Sequence, residues 1–198
     1  INGANFMDGI NPLFLGYFLG TVVISYFVAK KIGITSDINN FLIIIIFLSI
    51  LFIFNFFGKI LSGDSGAYSI SFLLGYYLIH ISNFAEAVSP YFIACLLWYP
   101  AYECLFSIIR KKINKVKITQ PDNKHLHHFI LIFFKNKFEL RGVILNTVSG
   151  MSINMVNYII FYNAYQNMSQ TKNLLFILFI SLILYNSIFY YLKKSIKS

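Results

Sequence analysis

Charge is what this sequence has least of: Asp, Glu, Lys and Arg make up 12% of its 198 residues, against about 25% in an ordinary soluble domain. With 58% hydrophobic residues, this excludes a water-soluble fold as the favoured reading and points to an integral membrane protein. Cysteine is nearly absent. Cys95 and Cys104 fall in one apolar stretch, where nine helical residues would separate them by about 13.5 Å, far beyond disulfide reach. Both are expected to be ordinary buried thiols. Strict apolar–polar alternation is missing too, which disfavours barrel strands and favours helices. No signal-peptide pattern precedes the first apolar stretch, and the chain opens on Ile1 inside a polar motif, as a fragment would.

What is abundant is long apolar sequence. Six stretches are long enough, or nearly so, to cross a hydrocarbon core of about 30 Å, which takes roughly 20 helical residues. They run approximately Leu13–Ala29, Phe41–Gly58, Ala67–Ala85, Tyr91–Ile109, Val143–Tyr162 and Asn173–Leu192. Several are interrupted by Gly, Ser or Asn, as is common where spanning helices pack on each other. The expected fold is an all-α, polytopic transmembrane bundle over 1–198, with loops at about 1–12, 59–66 and 110–141. The abundance of Phe, Ile, Tyr, Asn and Lys reads as the bias of an AT-rich genome rather than as a binding surface.

The net charge of +9 is unevenly placed. Arg110, Lys111, Lys112, Lys115, Lys117, Lys124, Lys135, Lys137 and Arg141 lie between the fourth and fifth stretches. Lys59, Lys193, Lys194 and Lys197 join them on one side if spans alternate, leaving only Lys30, Lys31 and Lys172 opposite. Positive residues stay cytoplasmic, so the basic loop, the 59–66 loop and both chain ends are expected to face the cytoplasm. Lys30 and Lys31 fit this poorly. A basic cytoplasmic loop suits anionic headgroups or phosphate-bearing substrates; nucleic acid is a poor third choice.

Three polar groups fall on that face. Asn2, Asn5, Asp8 and Asn11 precede the first span, and a helical turn would put Asn5 and Asp8 on one side. Ser62-Gly63-Asp64-Ser65-Gly66 opens the third span; a carboxylate between glycines admits a ligand close to the backbone and is a hard oxygen ligand suited to Mg²⁺. In both groups helix capping is the competing reading. Pro121-Asp122-Asn123-Lys124-His125-Leu126-His127-His128 holds three of the four histidines. Zinc would need four ligands, and no second cluster exists; imidazoles beside lysines can donate hydrogen bonds to phosphate oxygens. His80 reads as a packed or interfacial residue. Glu103, about two turns before Arg110, is an intramembrane acid that needs partners in the bundle interior.

Together these residues resemble the polyprenyl-phosphate N-acetylhexosamine-1-phosphate transferase family, whose members start peptidoglycan, O-antigen (lipopolysaccharide), enterobacterial common antigen and teichoic acid assembly. Its Asn-x-x-Asn-x-x-Asp-Gly motif is matched by Asn2, Asn5, Asp8 and Gly9. Its Gly-Asp-x-Gly loop is matched by Gly63, Asp64 and Gly66, followed by Ala67 and Leu74-Gly75. Its Pro-x-x-acid-x-Leu pattern is matched by Pro100, Glu103 and Leu105, and its histidine loop by Pro121, Asp122, His125, Leu126, His127 and His128. The His-x-His-His form resembles the O-antigen and common-antigen branch.

The resemblance implies transfer of GlcNAc-1-phosphate, or a related N-acetylaminosugar-1-phosphate, from a UDP-sugar to undecaprenyl phosphate with release of UMP. It implies a multi-pass protein of the bacterial inner membrane with its site facing the cytoplasm. It puts Mg²⁺, or Mn²⁺, on Asp64, with Asp8 a second candidate. Asp8, Asp64, His125, His127 and His128 are its catalytic candidates, and Asn2, Asn5, Asp122 and Lys124 its substrate-binding ones. Membrane lipids and a second copy, as a homodimer, are the further partners. Two departures stand. Asn11 replaces an acid that many members carry, so position 11 is not assumed to bind metal. The family's adjacent-aspartate motif lies upstream of anything here, so the chain is expected to be the C-terminal part of an enzyme of about ten or eleven spans and not to turn over alone. The rival readings are a transporter or metal carrier, and a truncated, non-catalytic homologue.

Overall fold

The computed structural model describes residues 2–83, 87–115, 117 and 124–196, except for the side chains of Asn2 and Ser36. In chain order the helices are α1 (Asn2–Asn5), α2 (Leu13–Ile32), α3 (Thr35–Phe56), α4 (Gly63–Ser82), α5 (Pro90–Ile113), α6 (Leu126–Phe138), α7 (Gly142–Gln166) and α8 (Thr171–Ser195). Among the described residues there is no strand. Each of the six apolar stretches expected to span falls on a helix, the third as far as Ser82, with Phe84 and Ala85 outside the described residues. Five, α2, α3, α5, α7 and α8, are long and apolar enough to cross a membrane. α4 is 20 residues long but carries Asp64, His80, three tyrosines and four serines, and falls short on apolar content.

The second difference from expectation is α6, inside the segment read as loop. Leu126, Phe129, Ile130 and Phe133 recur at helical spacing and turn inward, with the Phe129 ring 5.0 Å from that of Phe189 on α8. At 13 residues the helix is too short to span. It ends where Glu139 takes the left-handed conformation, φ 53°.

α2 is the central element, and glycine sets how closely α7 approaches it. Gly150, Asn154 and Tyr158 on α7, four residues apart, lie on one helical face. A β-carbon on Gly150 would stand 2.7 Å from the Asn11 carbonyl oxygen. Asn154 Nδ2 donates to Pro12 O at 3.2 Å, and Tyr158 OH donates to Gly16 O at 2.8 Å. Side chains on Gly16 and Gly20 would collide with Asn154 and Tyr158 respectively. Small residues that let backbones approach are how membrane helices associate without a hydrophobic driving force.

α5 contains Pro100, whose ring nitrogen cannot donate to the carbonyl four residues earlier. Tyr17 OH on α2 takes that role, donating to Leu96 O at 2.8 Å. Pro100 is also the platform for α1, since a β-carbon on Gly3 would stand 2.2 Å from Pro100 O. The Asn2-Gly3 motif thus docks on the Pro100 turn through a position only glycine can fill.

At one end of the bundle lie α1, the start of α4 and α6. At the other, His80 Nδ1 meets Asp37 Oδ2 at 2.5 Å, and Lys31 Nζ lies 5.2 Å from the centre of the Tyr165 ring. His80, expected to be packed or interfacial, therefore ties α4 to the start of α3, far along its helix from Asp64. Cys95 is buried and Cys104 half-buried, both as free thiols.

Candidate functional site

The turn after α1 joins the other two polar groups. Asp8 N–H donates to Asn5 O at 3.3 Å, so the chain makes a turn rather than a longer helix. The half-buried Asp8 carboxyl lies against the Ser62 side chain and the backbone N–H groups of Ser62 and Gly63, at the N-terminus of α4. Burial raises its pKa above the usual carboxylate value; the Ser62 and Gly63 groups offset part of that, and the Asp64 charge adds to it. The Ser62 hydroxyl is buried and falls short of a formed hydrogen bond. Asp64 is exposed in the first turn of α4, and Ser62 at the cap position makes no side-chain capping bond. Asp64 does not cap its own helix: the acid set against the first amides of α4 is Asp8, from a segment 54 positions earlier.

The same turn meets the histidine loop. The Phe6 ring stacks on His125 at 5.1 Å and 28°. His125 is parallel to His127, 5.4 Å apart at 2°, and His128 lies 4.3 Å from His127. A β-carbon on Gly9 would come within 3.6 Å of His127 Nε2. His127 is 1% exposed, and its Nδ1 is buried with no hydrogen-bond partner among the described residues. Burial, then the neighbouring His128 and His125, push its pKa well below the usual imidazole value, so the ring is neutral at pH 7. Lys124 is exposed at the entry to the loop.

Of the site residues expected from sequence, Asp8, Asp64, His125, His127 and His128 are brought to one end of the bundle through this turn. Asn5 lies at its edge, donating to Tyr68 OH at 3.4 Å. Asn2 is in α1, with its side chain outside the described residues, and Asp122 lies outside them altogether. Asn11 is turned inward, 8% exposed, with Oδ1 accepting from Asn55 Nδ2 at 3.5 Å. Position 11 serves the junction with α3.

Two features go beyond the local signal in the sequence: the partners of Glu103, which was expected to need them, and a cavity beside the site. Glu103 is held by His125, the Leu126 amide and Tyr185, the last of these 82 positions away. Beside the site, an apolar cavity of about 650 Å³ runs between α4 and α5, lined by Gly3, Ala4, Leu74, Gly75, Leu97 and Ile108 among others.

The arrangement fits a divalent cation in part. Among the described residues, no group of three or more His, Cys, Asp and Glu side chains converges as a metal cage. Asp64, exposed in the first turn of α4, and Asp8, whose ionisation its charge makes more costly, match the one or two protein ligands Mg²⁺ takes when substrate phosphates supply the rest.

No family model matches the chain, and no solved structure matches it. Two relatives do. Over 140 residues it is 33% identical to a probable undecaprenyl-phosphate N-acetylglucosaminyl 1-phosphate transferase of Bacillus subtilis, covering 67% of this chain and 37% of that protein. Over 97 residues it is 33% identical to an undecaprenyl-phosphate alpha-N-acetylglucosaminyl 1-phosphate transferase of Thermotoga maritima, covering 43% of this chain and 32% of that protein. The matches span about a third of each relative's length. By these matches the chain is similar, over part of its length, to undecaprenyl-phosphate N-acetylglucosaminyl 1-phosphate transferases.

Proposed function

We propose that this chain supplies part of the cytoplasmic catalytic face of an enzyme that moves GlcNAc-1-phosphate, or a related aminosugar-1-phosphate, from a UDP-sugar to undecaprenyl phosphate. The observation that carries this reading is the turn at residues 6–9, which touches the Asp64 loop on one side and the histidine loop on the other. In the proposed reaction an oxygen of the lipid phosphate bonds to the sugar-bearing phosphorus. The bond from that phosphorus to the bridging oxygen breaks, and its electron pair leaves with UMP.

Most of the work in such a transfer is positioning and charge neutralisation. Asp64, with Asp8 second, would hold Mg²⁺ or Mn²⁺, and such a cation neutralises charge on the diphosphate when bound. Asn5 orients the nucleotide-sugar, His125 and His128 hold its diphosphate, and neutral His127 shapes the floor beneath. Lys124 and its basic neighbours draw in two anionic substrates. The cavity beside Gly3 and Ala4 gives an apolar acceptor tail a place next to the charged centre. Thirteen basic residues on the site's side, against three opposite, support the cytoplasmic orientation.

The test is transfer of label from UDP-GlcNAc carrying ³²P at the β-phosphorus, in membranes containing the complete enzyme to which this chain contributes. Label should enter the lipid extract only when undecaprenyl phosphate is supplied, with unlabelled UMP released. Label that remains in water-soluble nucleotide, with lipid acceptor present, contradicts the reading.

A further inference from the structure

We propose that Glu103 is the positioning residue of the histidine cluster and that Tyr185 anchors it. Glu103 is on α5 and is 1% exposed. A buried acid in a membrane bundle is costly unless its oxygens are taken up, and here three donors do so. Oε1 accepts from His125 Nδ1 at 2.8 Å and from the Leu126 backbone N–H at 3.1 Å. Oε2 accepts from Tyr185 OH at 2.5 Å.

Each contact does something different. Leu126 is the first residue of α6, and His125 at the cap position makes no side-chain capping bond. The Glu103 carboxylate therefore satisfies one of the amides that a helix start leaves open, doing so from another helix. The bond to His125 settles which ring nitrogen carries hydrogen: an ionised carboxylate accepts only, so Nδ1 donates and Nε2 is left for other partners. His125 is the middle ring of a stack, with Phe6 on one side and His127 on the other. Fixing its plane fixes the contact between the histidine loop and the turn that carries Asp8. Tyr185 holds the far oxygen, and its 2% exposed ring packs against Tyr102 and Phe106 on α5. α8 thus reaches the carboxylate that holds His125 through the Tyr185 hydroxyl.

The expected effect on turnover rests on the transferase reading above; the geometry does not. Both are read on the whole protein in detergent. In ¹⁵N-histidine NMR, with His125 assigned by its disappearance in His125→Gln, the wild-type Nδ1–H proton should lie far downfield. Glu103→Gln, which keeps shape and removes charge, should move it upfield. Tyr185→Phe, which keeps the buried ring and frees one carboxylate oxygen, should move it further downfield and keeps the test available should Glu103→Gln fail to fold. In turnover, Glu103→Gln should lower kcat about 10- to 100-fold, the usual cost of losing a residue that orients a functional histidine, with KM for UDP-GlcNAc near wild type. A His125 signal unmoved by both substitutions, or wild-type kcat in Glu103→Gln, overturns the proposal. Absence of any transfer by the wild type sinks the transferase reading instead, and the NMR comparison then decides the positioning role alone.

Discussion

Asp8 and Asp64 belong to different segments, yet the charge of Asp64 raises the cost of ionising Asp8, because Asp8 is set against the end of α4 on which Asp64 sits. A site built this way is least comfortable empty.

That discomfort is measurable. A carboxyl whose folded pKa is raised contributes its full stability below the unfolded value of 3.8 and loses it as pH rises through the folded value. At neutral pH a divalent cation should restore it. In detergent at pH 7, Mg²⁺ is expected to raise the Tm of the wild type and not of Asp8→Asn or Asp64→Asn, with Asp8→Asn no less stable than wild type when no cation is added. Equal Mg²⁺ responses in all three proteins would show that the pair does not hold the ion.

His127 has the opposite sign. Its folded pKa is lowered from 6.5, so its contribution is intact above that value and is lost as pH falls below it, where only the unfolded chain gains the proton. Thermal melts between pH 7 and pH 5 should show wild type losing stability faster than His127→Phe. Parallel pH curves would mean that the ring is more hydrated than its burial implies.

Tyr17→Phe removes the one hydroxyl that replaces the missing amide of Pro100. Leaving the Leu96 carbonyl unpaired in an apolar setting should cost about 1–3 kcal/mol. Pro100→Ala supplies an N–H to the same carbonyl, so the cost of Tyr17→Phe should shrink in that background. Denaturation of the four proteins of this cycle checks it.

Glycines separate by what faces them. Gly150→Ala forces a β-carbon against the Asn11–Pro12 backbone and should destabilise by about 1–3 kcal/mol, as overpacking does. Gly75→Ala on α4 meets nothing within 4 Å and should be neutral or stabilising by up to about 1 kcal/mol. A Gly150→Ala protein as stable as wild type would show that α7 can retreat from the site.

The helices were legible in the sequence because each apolar stretch is long and bounded by polar residues; Leu13–Ala29 became Leu13–Ile32. α6 was not, because 13 residues opening on His127 and His128 and closing on Lys135 and Lys137 read as a basic loop. α4 was legible as a helix, but its tyrosines and serines set it apart from the five more apolar helices. The site motifs were visible because Asp8, Asp64 and the histidines each sit in a distinctive local pattern. What they share was not. That Asp8 rather than Asp64 faces the first amides of α4, and that Glu103 finds its donors on α6 and α8, depends on contacts across tens of residues. No local spacing encodes them.

The central claim, that these motifs form a cation-assisted phosphoryl-transfer site, is tested most directly by UMP release from UDP-GlcNAc by the complete enzyme that contains this chain, in its native membrane. Release should require undecaprenyl phosphate and Mg²⁺ together and fall to background in Asp64→Asn, whose exposed side chain leaves the fold intact. Undiminished UMP release by Asp64→Asn would contradict the account.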